Sequence, residues 1–151
     1  MTVTYIFHSC YLLEFDGFSI VFDFYKDEKR DDGHFWINDY LLEKPDDLYV
    51  FCTHSHPDHF NPEILKWGIN KANVKYIFSK EVMDNRDISV YQNIVFLDKL
   101  EEYEDSRIKV KAFGSTDTGG SFVVDVFGKR FFHAGDLNNW HWNEEVPLLE
   151  S

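Results

Sequence analysis

The stretch His54-x-His56-x-Asp58-His59 constrains this chain more than any other. It places three of the seven histidines and one carboxylate within six residues. The apolar run Leu48 to Cys52 leads into it and reads as a buried strand. Asn61 and Pro62 follow as a helix start, a capping side chain ahead of a proline at the first helical position. A strand exit, a turn at Pro57 and a helix start therefore bring these side chains toward one place. Imidazole nitrogens and carboxylate oxygens are the usual ligands of zinc and similar divalent metals. Side chains two apart on a strand exit share a face, so His54 and His56 point together. The turn then swings Asp58 and His59 toward a second point nearby. One loop of this kind serves two metals, and a metal pair can hold and activate a bridging water. The plain alternative is a histidine-rich surface loop, which the clustering and the strand–turn–helix frame argue against.

The chain opens with Val3 to His8 and Ser9 to Phe15, turns at Asp16-Gly17, and continues with Phe18 to Phe24. This predicts a three-strand antiparallel meander, with Asp-Gly as the hairpin signal. His8 and Asp23 end the first and third strands on one edge of the meander and can approach each other there. His8 is a candidate site-lining residue, and Asp23 a carboxylate that orients a ligand histidine by hydrogen bonding. From Tyr25 to Asp47 the pattern is irregular. Lys26 to Gly33 is a charge run that reads as a solvated loop, His34 reads as a surface residue, and Phe35 to Leu42 fits a short amphipathic helix.

Beyond the motif, the order is helix (Pro62 to Asn70), strand (Lys75 to Phe78), short helix (Glu81 to Asn85) and strand (Asn93 to Leu97), an α/β layering. Glu101, Glu102, Glu104 and Asp105 read as a solvated acidic turn. Arg107 to Phe113 alternates as a half-buried strand. After the glycine-rich loop 114–120, Ser121 to Phe127 and Arg130 to His133 form a hairpin turning at Gly128-Lys129. It runs into Ala134-Gly135-Asp136, where a strand-end Asp behind a glycine is placed to be a shared metal ligand. Trp140, His141 and Trp142 follow, either as packing or as a substrate wall with His141 as ligand or proton donor.

Length and composition set the outer bounds. The 151 residues suit one domain, and 44% apolar with 18% aromatic content indicates a packed core. Cys10 and Cys52 lie in apolar runs and read as reduced core thiols. A formal net charge of −12 disfavours nucleic acid and anionic membrane surfaces as partners. With no apolar run of membrane-spanning length, the expected setting is cytoplasmic.

With these residues in view, the chain resembles the metallo-β-lactamase-fold hydrolases, from about Thr2 to about Trp142. The carrying segments are His54-x-His56-x-Asp58-His59, His133-Ala134-Gly135-Asp136, His8 to Glu14, and Phe22-Asp23. Within that superfamily it is most similar to the ascorbate-phosphate lactonase-like branch. The resemblance implies an α/β (α+β) fold, an αββα sandwich with its metal site at one edge of two sheets. It implies His54 and His56 on a first metal, Asp58 and His59 on a second, and Asp136 between them. The ions would be two divalent metals, zinc first, with iron or manganese as alternatives. A bridging water would attack a small ester, lactone or phosphoester, with Asp58 orienting it as the catalytic residue and His133 close by. Relatives with diiron oxygen chemistry carry Glu in place of the second histidine, so His56 favours hydrolysis. A nuclease, as some relatives are, fits the charge poorly.

Two departures from the family pattern bear on activity. The loop before the strand that leads to Asp136 lacks the usual histidine, and Asp117 is the stand-in there. Family members also continue well past the shared Asp, whereas this chain stops at Ser151. Either His141 substitutes for the late histidine, or the second metal site is thinner, or the second half-sandwich is incomplete. An incomplete sandwich would leave apolar surface for a second copy of the chain, a homo-oligomer, to cover. It would also admit a metal-binding but catalytically silent protein.

Overall fold

Gly17 closes the first hairpin at a φ of 87°, a left-handed conformation that glycine adopts without steric cost. Around it, β1 (Thr2–Phe7), β2 (Cys10–Phe15) and β3 (Phe18–Phe22) form the expected antiparallel meander. The computed structural model of the chain describes residues 1–85, 93–114 and 120–134. After β3 the sheet turns parallel. Strands β4 (Asp47–Cys52), β5 (Val74–Ser79) and β6 (Ile94–Leu97) add in sequence to give a six-stranded sheet in the order β1-β2-β3-β4-β5-β6. Parallel neighbours need crossovers; α1 (Ile64–Asn70) lies between β4 and β5, and α2 (Lys80–Asn85) between β5 and β6. A second, four-stranded antiparallel sheet runs β10-β9-β8-β7, from β7 (Glu102–Glu104), β8 (Ile108–Gly114), β9 (Gly120–Val126) and β10 (Lys129–His133).

Alternation along the strands builds two cores. One side of the first sheet sends Leu12, Val21, Val50, Cys52 and Phe78 against Ile64, Trp67 and Val82 of the helices. The other side sends Leu13, Ile20, Phe22, Phe51 and Ile77 against Val110, Phe122, Val124 and Phe131 of the second sheet. With both faces covered, β3 is buried along its whole length, as a strand with no solvent face must be. Helices, first sheet and second sheet thus form an α/β/β stack. Among the described residues no helix covers the outer face of the second sheet, so the fourth layer of the expected αββα sandwich lies outside them. Cys10 and Cys52 are both buried thiols. No helix among the described residues is long and apolar enough to cross a membrane.

This architecture decides where chemistry can sit. In parallel sheets, ligands gather at the carboxyl ends of the strands. Asp23 follows β3, Thr53 to His59 follow β4, and Glu81 follows β5 by two residues. At that same edge lie Gly120 at the start of β9 and His133 at the end of β10, as the bonds described below require.

Three sequence readings are corrected. The charge run after Tyr25 is built rather than merely solvated. The Arg30 guanidinium stacks on Tyr40 and Trp36, 4.2 and 4.9 Å from their ring centres. Asp27 accepts the backbone N–H groups of Ile37 and Asn38, in the first turn of the segment Trp36–Leu41; that segment is the expected short helix, in π-helical form. The last hairpin turns at Phe127-Gly128, one residue earlier than read, with φ of 48° and 84°. Finally, the acidic stretch is an edge strand and an ordered turn. Glu102 and Glu104 pair with Lys111 and Lys109 across β7 and β8. Asp105 accepts from the Tyr49 and Tyr103 hydroxyls at 2.7 and 2.9 Å and from the Arg107 and Ile108 N–H groups.

Burial by itself would raise the Asp105 carboxyl, but these N–H and hydroxyl donors hold it below the ordinary carboxylate range. A lowered pKa means that its stabilisation is complete above the unfolded carboxylate value, about 4, and fades as pH falls through the folded value. Asp105→Asn is therefore expected to lower stability at pH 7 by about 1 kcal/mol, the low end because the carboxylate is half-exposed. The gap between denaturant melts of the two proteins should begin to close below pH about 4 and disappear once pH falls past the lowered folded value; a gap unchanged by pH would refute the assignment.

Candidate metal centre

Asp23 is held in the left-handed region, φ 49°, immediately after β3. That conformation is uncommon outside glycine, and Asp is among the residues that tolerate it best. It turns the carboxylate inward, where it is fully buried. Oδ1 accepts the Thr53 N–H at 2.7 Å, and Oδ2 accepts the Thr53 hydroxyl at 2.6 Å. Oδ2 also lies 3.0 Å from His59 Nδ1 and 3.0 Å from His133 Nε2. A carboxylate only accepts, so both imidazoles present N–H to it. Burial pushes the Asp23 carboxyl up, but His133 and then His59 outweigh it and hold the group well below the usual carboxylate range.

The consequence for His59 is chemical. With Nδ1 donating to the carboxylate, the neutral ring carries its lone pair on Nε2, the form in which imidazole binds metals. That nitrogen lies 3.6 Å from Asp58 Oδ2. The His54 ring, fully buried, lies 4.8 Å from the His59 ring and 5.9 Å from the His56 ring, to which it is within 21° of parallel. His56, Pro57 and Asp58 are exposed, whereas His54, Ser55 and His59 are buried. The loop is closed by the His59 and Phe60 N–H groups, both bonded to the His56 carbonyl at 2.9 Å. Asn61 accepts the Glu63 N–H at 2.9 Å, a side-chain bond that opens the first turn ahead of α1.

Several supporting groups were not singled out by the sequence. The Thr53 carbonyl accepts both the Ser79 hydroxyl at 2.7 Å and the Gly120 N–H at 2.9 Å, which joins the two sheets at this edge. A side chain on Gly120 would meet the Phe113 carbonyl at 3.1 Å and Ser79 Cβ at 3.3 Å, so glycine suits the close approach. Glu81 accepts the Ser55 N–H at 2.9 Å, and the Cys52 thiol bonds the His54 carbonyl at the same distance. The only local hints were Thr53 beside the motif and an acid in the first turn of a helix after a strand.

Of the sequence candidates, His54, His56, Asp58 and His59 share this loop, and Asp23 and His133 lie beneath it. His133 packs its ring on Phe22 at 4.6 Å and bonds Asp23 rather than facing the loop's exposed side. His8 does not meet Asp23. It is exposed, at φ 52°, with its ring against Phe7 and Tyr25, because the left-handed residue after β1 turns it outward. Asp117, Asp136 and His141 lie outside the described residues. The described donors suit a divalent metal in kind: three imidazoles, one in a fixed tautomer, and a carboxylate. Among the described residues, however, no group of three or more His, Cys, Asp or Glu side chains already encloses an ion-sized point.

Residues 2–149 match the family model described as a beta-lactamase superfamily domain. The chain belongs to that superfamily. It is similar to a UPF0173 protein of Pyrococcus abyssi, 27% identical over 146 residues that cover 90% of this chain and 60% of the relative. Its fold is similar to that of Igni18, a metallo hydrolase of Ignicoccus hospitalis, with TM-score 0.69 and 19% identity over 96% of this chain and 66% of the other. It is also similar to CmlA, a diiron β-hydroxylase of Streptomyces venezuelae, with TM-score 0.65 and 16% identity over 91% of this chain and 30% of the other. The chain thus spans less than two thirds of the length of these relatives. A hydrolase and a hydroxylase with folds similar to this one mean that the fold leaves the reaction open.

Removing the Asp23 carboxylate strands the Thr53 and histidine donors in a dry interior. Asp23→Ala is expected to destabilise the protein by about 3–5 kcal/mol, read by denaturant unfolding. A loss under 1 kcal/mol would show that the carboxylate is not holding these groups together.

Proposed function

We propose that the chain is a metal-dependent hydrolase of a small ester, lactone or phosphoester. His54, His56, Asp58 and His59 would hold two divalent ions together with Asp136, and Asp117 would stand where relatives bring a further histidine. The observation that carries this reading is the hydrogen bond from His59 Nδ1 to the buried Asp23 carboxylate. Carboxylates hold metal-ligating histidines in this way, leaving the other ring nitrogen, here 3.6 Å from Asp58 Oδ2, to face the ion. When bound, a metal pair supplies a water acidic enough to react near neutral pH and polarises the scissile group.

The chain's own residues do the rest. Asp23 keeps the His59 Nε2 lone pair available. Asp58, exposed beside that nitrogen, accepts a hydrogen bond from the attacking water and orients it toward the substrate. His54 lies inside and His56 outside, so the loop spans from the dry interior to the surface that a substrate reaches. His56 supports hydrolysis over oxygenation, because relatives with diiron oxygen chemistry carry Glu there. The resemblance to the ascorbate-phosphate lactonase-like branch supports a lactone or phosphoester as substrate. Zinc suits imidazole and carboxylate donors, and iron or manganese would be accepted by the same set.

A panel of aryl esters, lactones and phosphodiesters, assayed on protein loaded with zinc, iron or manganese, tests the proposal. Turnover is expected with at least one class, abolished by chelation and reduced at least about 100-fold in kcat by Asp58→Ala. Full metal loading without turnover of any class would refute the hydrolase and leave a silent metal-binding protein. Asp58→Ala activity equal to that of the parent would remove Asp58 from the chemistry.

A further inference from the structure

Two side chains outside the proposed ligand set grip the backbone of the metal loop. The Cys52 thiol, at the end of β4, lies 2.9 Å from the carbonyl oxygen of His54 and 3.2 Å from that of His59. Its one S–H is shared, as a bifurcated donor, between the carbonyls at the two ends of the six-residue motif, across the turn that the His56 carbonyl closes. Cys52 is fully buried in the core between sheet and helices, so the thiol has no route to solvent. Glu81, in the first turn of α2, accepts the Ser55 N–H at 2.9 Å. That N–H belongs to the peptide between His54 and Ser55, midway along the His54-to-His56 step. A backbone carbonyl or N–H held in place fixes the peptide plane and with it the direction of the neighbouring Cα–Cβ bond.

The geometry points to Cys52 and Glu81 as positioning residues of the loop. The thiol sets the span from His54 to His59, and the carboxylate sets the span from His54 to His56. The imidazoles are thereby presented at fixed separation before an ion arrives, so binding does not have to order the loop. This inference rests on the loop being a metal centre. It also makes Cys52 a hydrogen-bond donor to the loop rather than a thiolate ligand, since its sulfur faces two carbonyl oxygens.

The test compares zinc affinity, measured by competition with a chromophoric chelator, with the melting temperature of metal-free protein. Cys52→Ala and Glu81→Ala should each weaken zinc binding about tenfold. Cys52→Ser, which keeps a donor, and Glu81→Gln, which keeps an acceptor, should recover most of that loss. A purely structural role would lower the melting temperature without this split. Cobalt-loaded parent protein should lack the near-ultraviolet sulfur-to-cobalt band of a thiolate ligand. Zinc affinity unchanged in both alanine variants, or a thiolate band with cobalt, would overturn the assignment. Should Cys52→Ala fail to fold, the Glu81 pair decides. A parent protein that binds no zinc overturns the metal centre itself, whereas one that binds zinc as well as its variants overturns only the positioning.

Discussion

The Asp23 carboxylate is the contact on which the functional edge of this molecule depends. Two oxygens receive four donors, from Thr53, His59 and His133, and these come from the exit of β4, the histidine loop and the end of β10. Asp23 itself directly follows β3, so a single side chain ties both sheets and the loop together. The price is a left-handed backbone at a non-glycine residue and a charge withdrawn from water. Such terms are tolerated where surrounding structure fixes them, which is why they concentrate at functional sites. Here the fixing is mutual, because the same hydrogen bonds that satisfy the carboxylate also orient the imidazoles.

From this contact outward, the molecule divides its labour between layers. The buried first sheet gives a rigid floor, with β3 wholly inside and both faces packed. Its parallel strands deliver Asp23, the histidine loop and Glu81 to one edge, and the second sheet delivers Gly120 and His133 to the same place. The far end of the sandwich is held differently. There Asp105 gathers two tyrosine hydroxyls and two backbone N–H groups from a turn between β7 and β8, and Asp47 pairs with Arg107. Both ends therefore use a carboxylate to join the sheets, and the end at the exits of β3 and β4 adds imidazole nitrogens.

Much of this was legible in the sequence, for identifiable reasons. The meander, the parallel strands and the crossover helices follow from apolar alternation and from punctuation at Gly17, Pro57 and Pro62. The histidine loop was legible because its donors are contiguous, so spacing alone carries the chemistry. Asp23 was readable as a carboxylate at a strand end, and the structure sets it within hydrogen-bond distance of His59 and His133. What escaped was long-range. Asp105 looked solvated because its partner Tyr49 is 56 residues away, and Asp27 looked like loop charge because the peptides it caps begin 10 residues on. Thr53, Ser79 and Gly120 meet only once β4, β5 and β9 are in place. His8 shows the converse: two strand ends on one edge suggested proximity, and one backbone angle turned the ring away.

The central claim is that a buried carboxylate prepares His59 to bind a metal. Nitrogen-15 NMR of the histidine rings in metal-free protein at neutral pH tests it most directly, because the two ring nitrogens report their own protonation. The account predicts a neutral His59 with the proton on Nδ1, a His133 with the proton on Nε2, and a His59 Nε2 resonance that moves on addition of zinc. A His59 ring with its proton on Nε2, or one whose Nε2 ignores zinc, would contradict it.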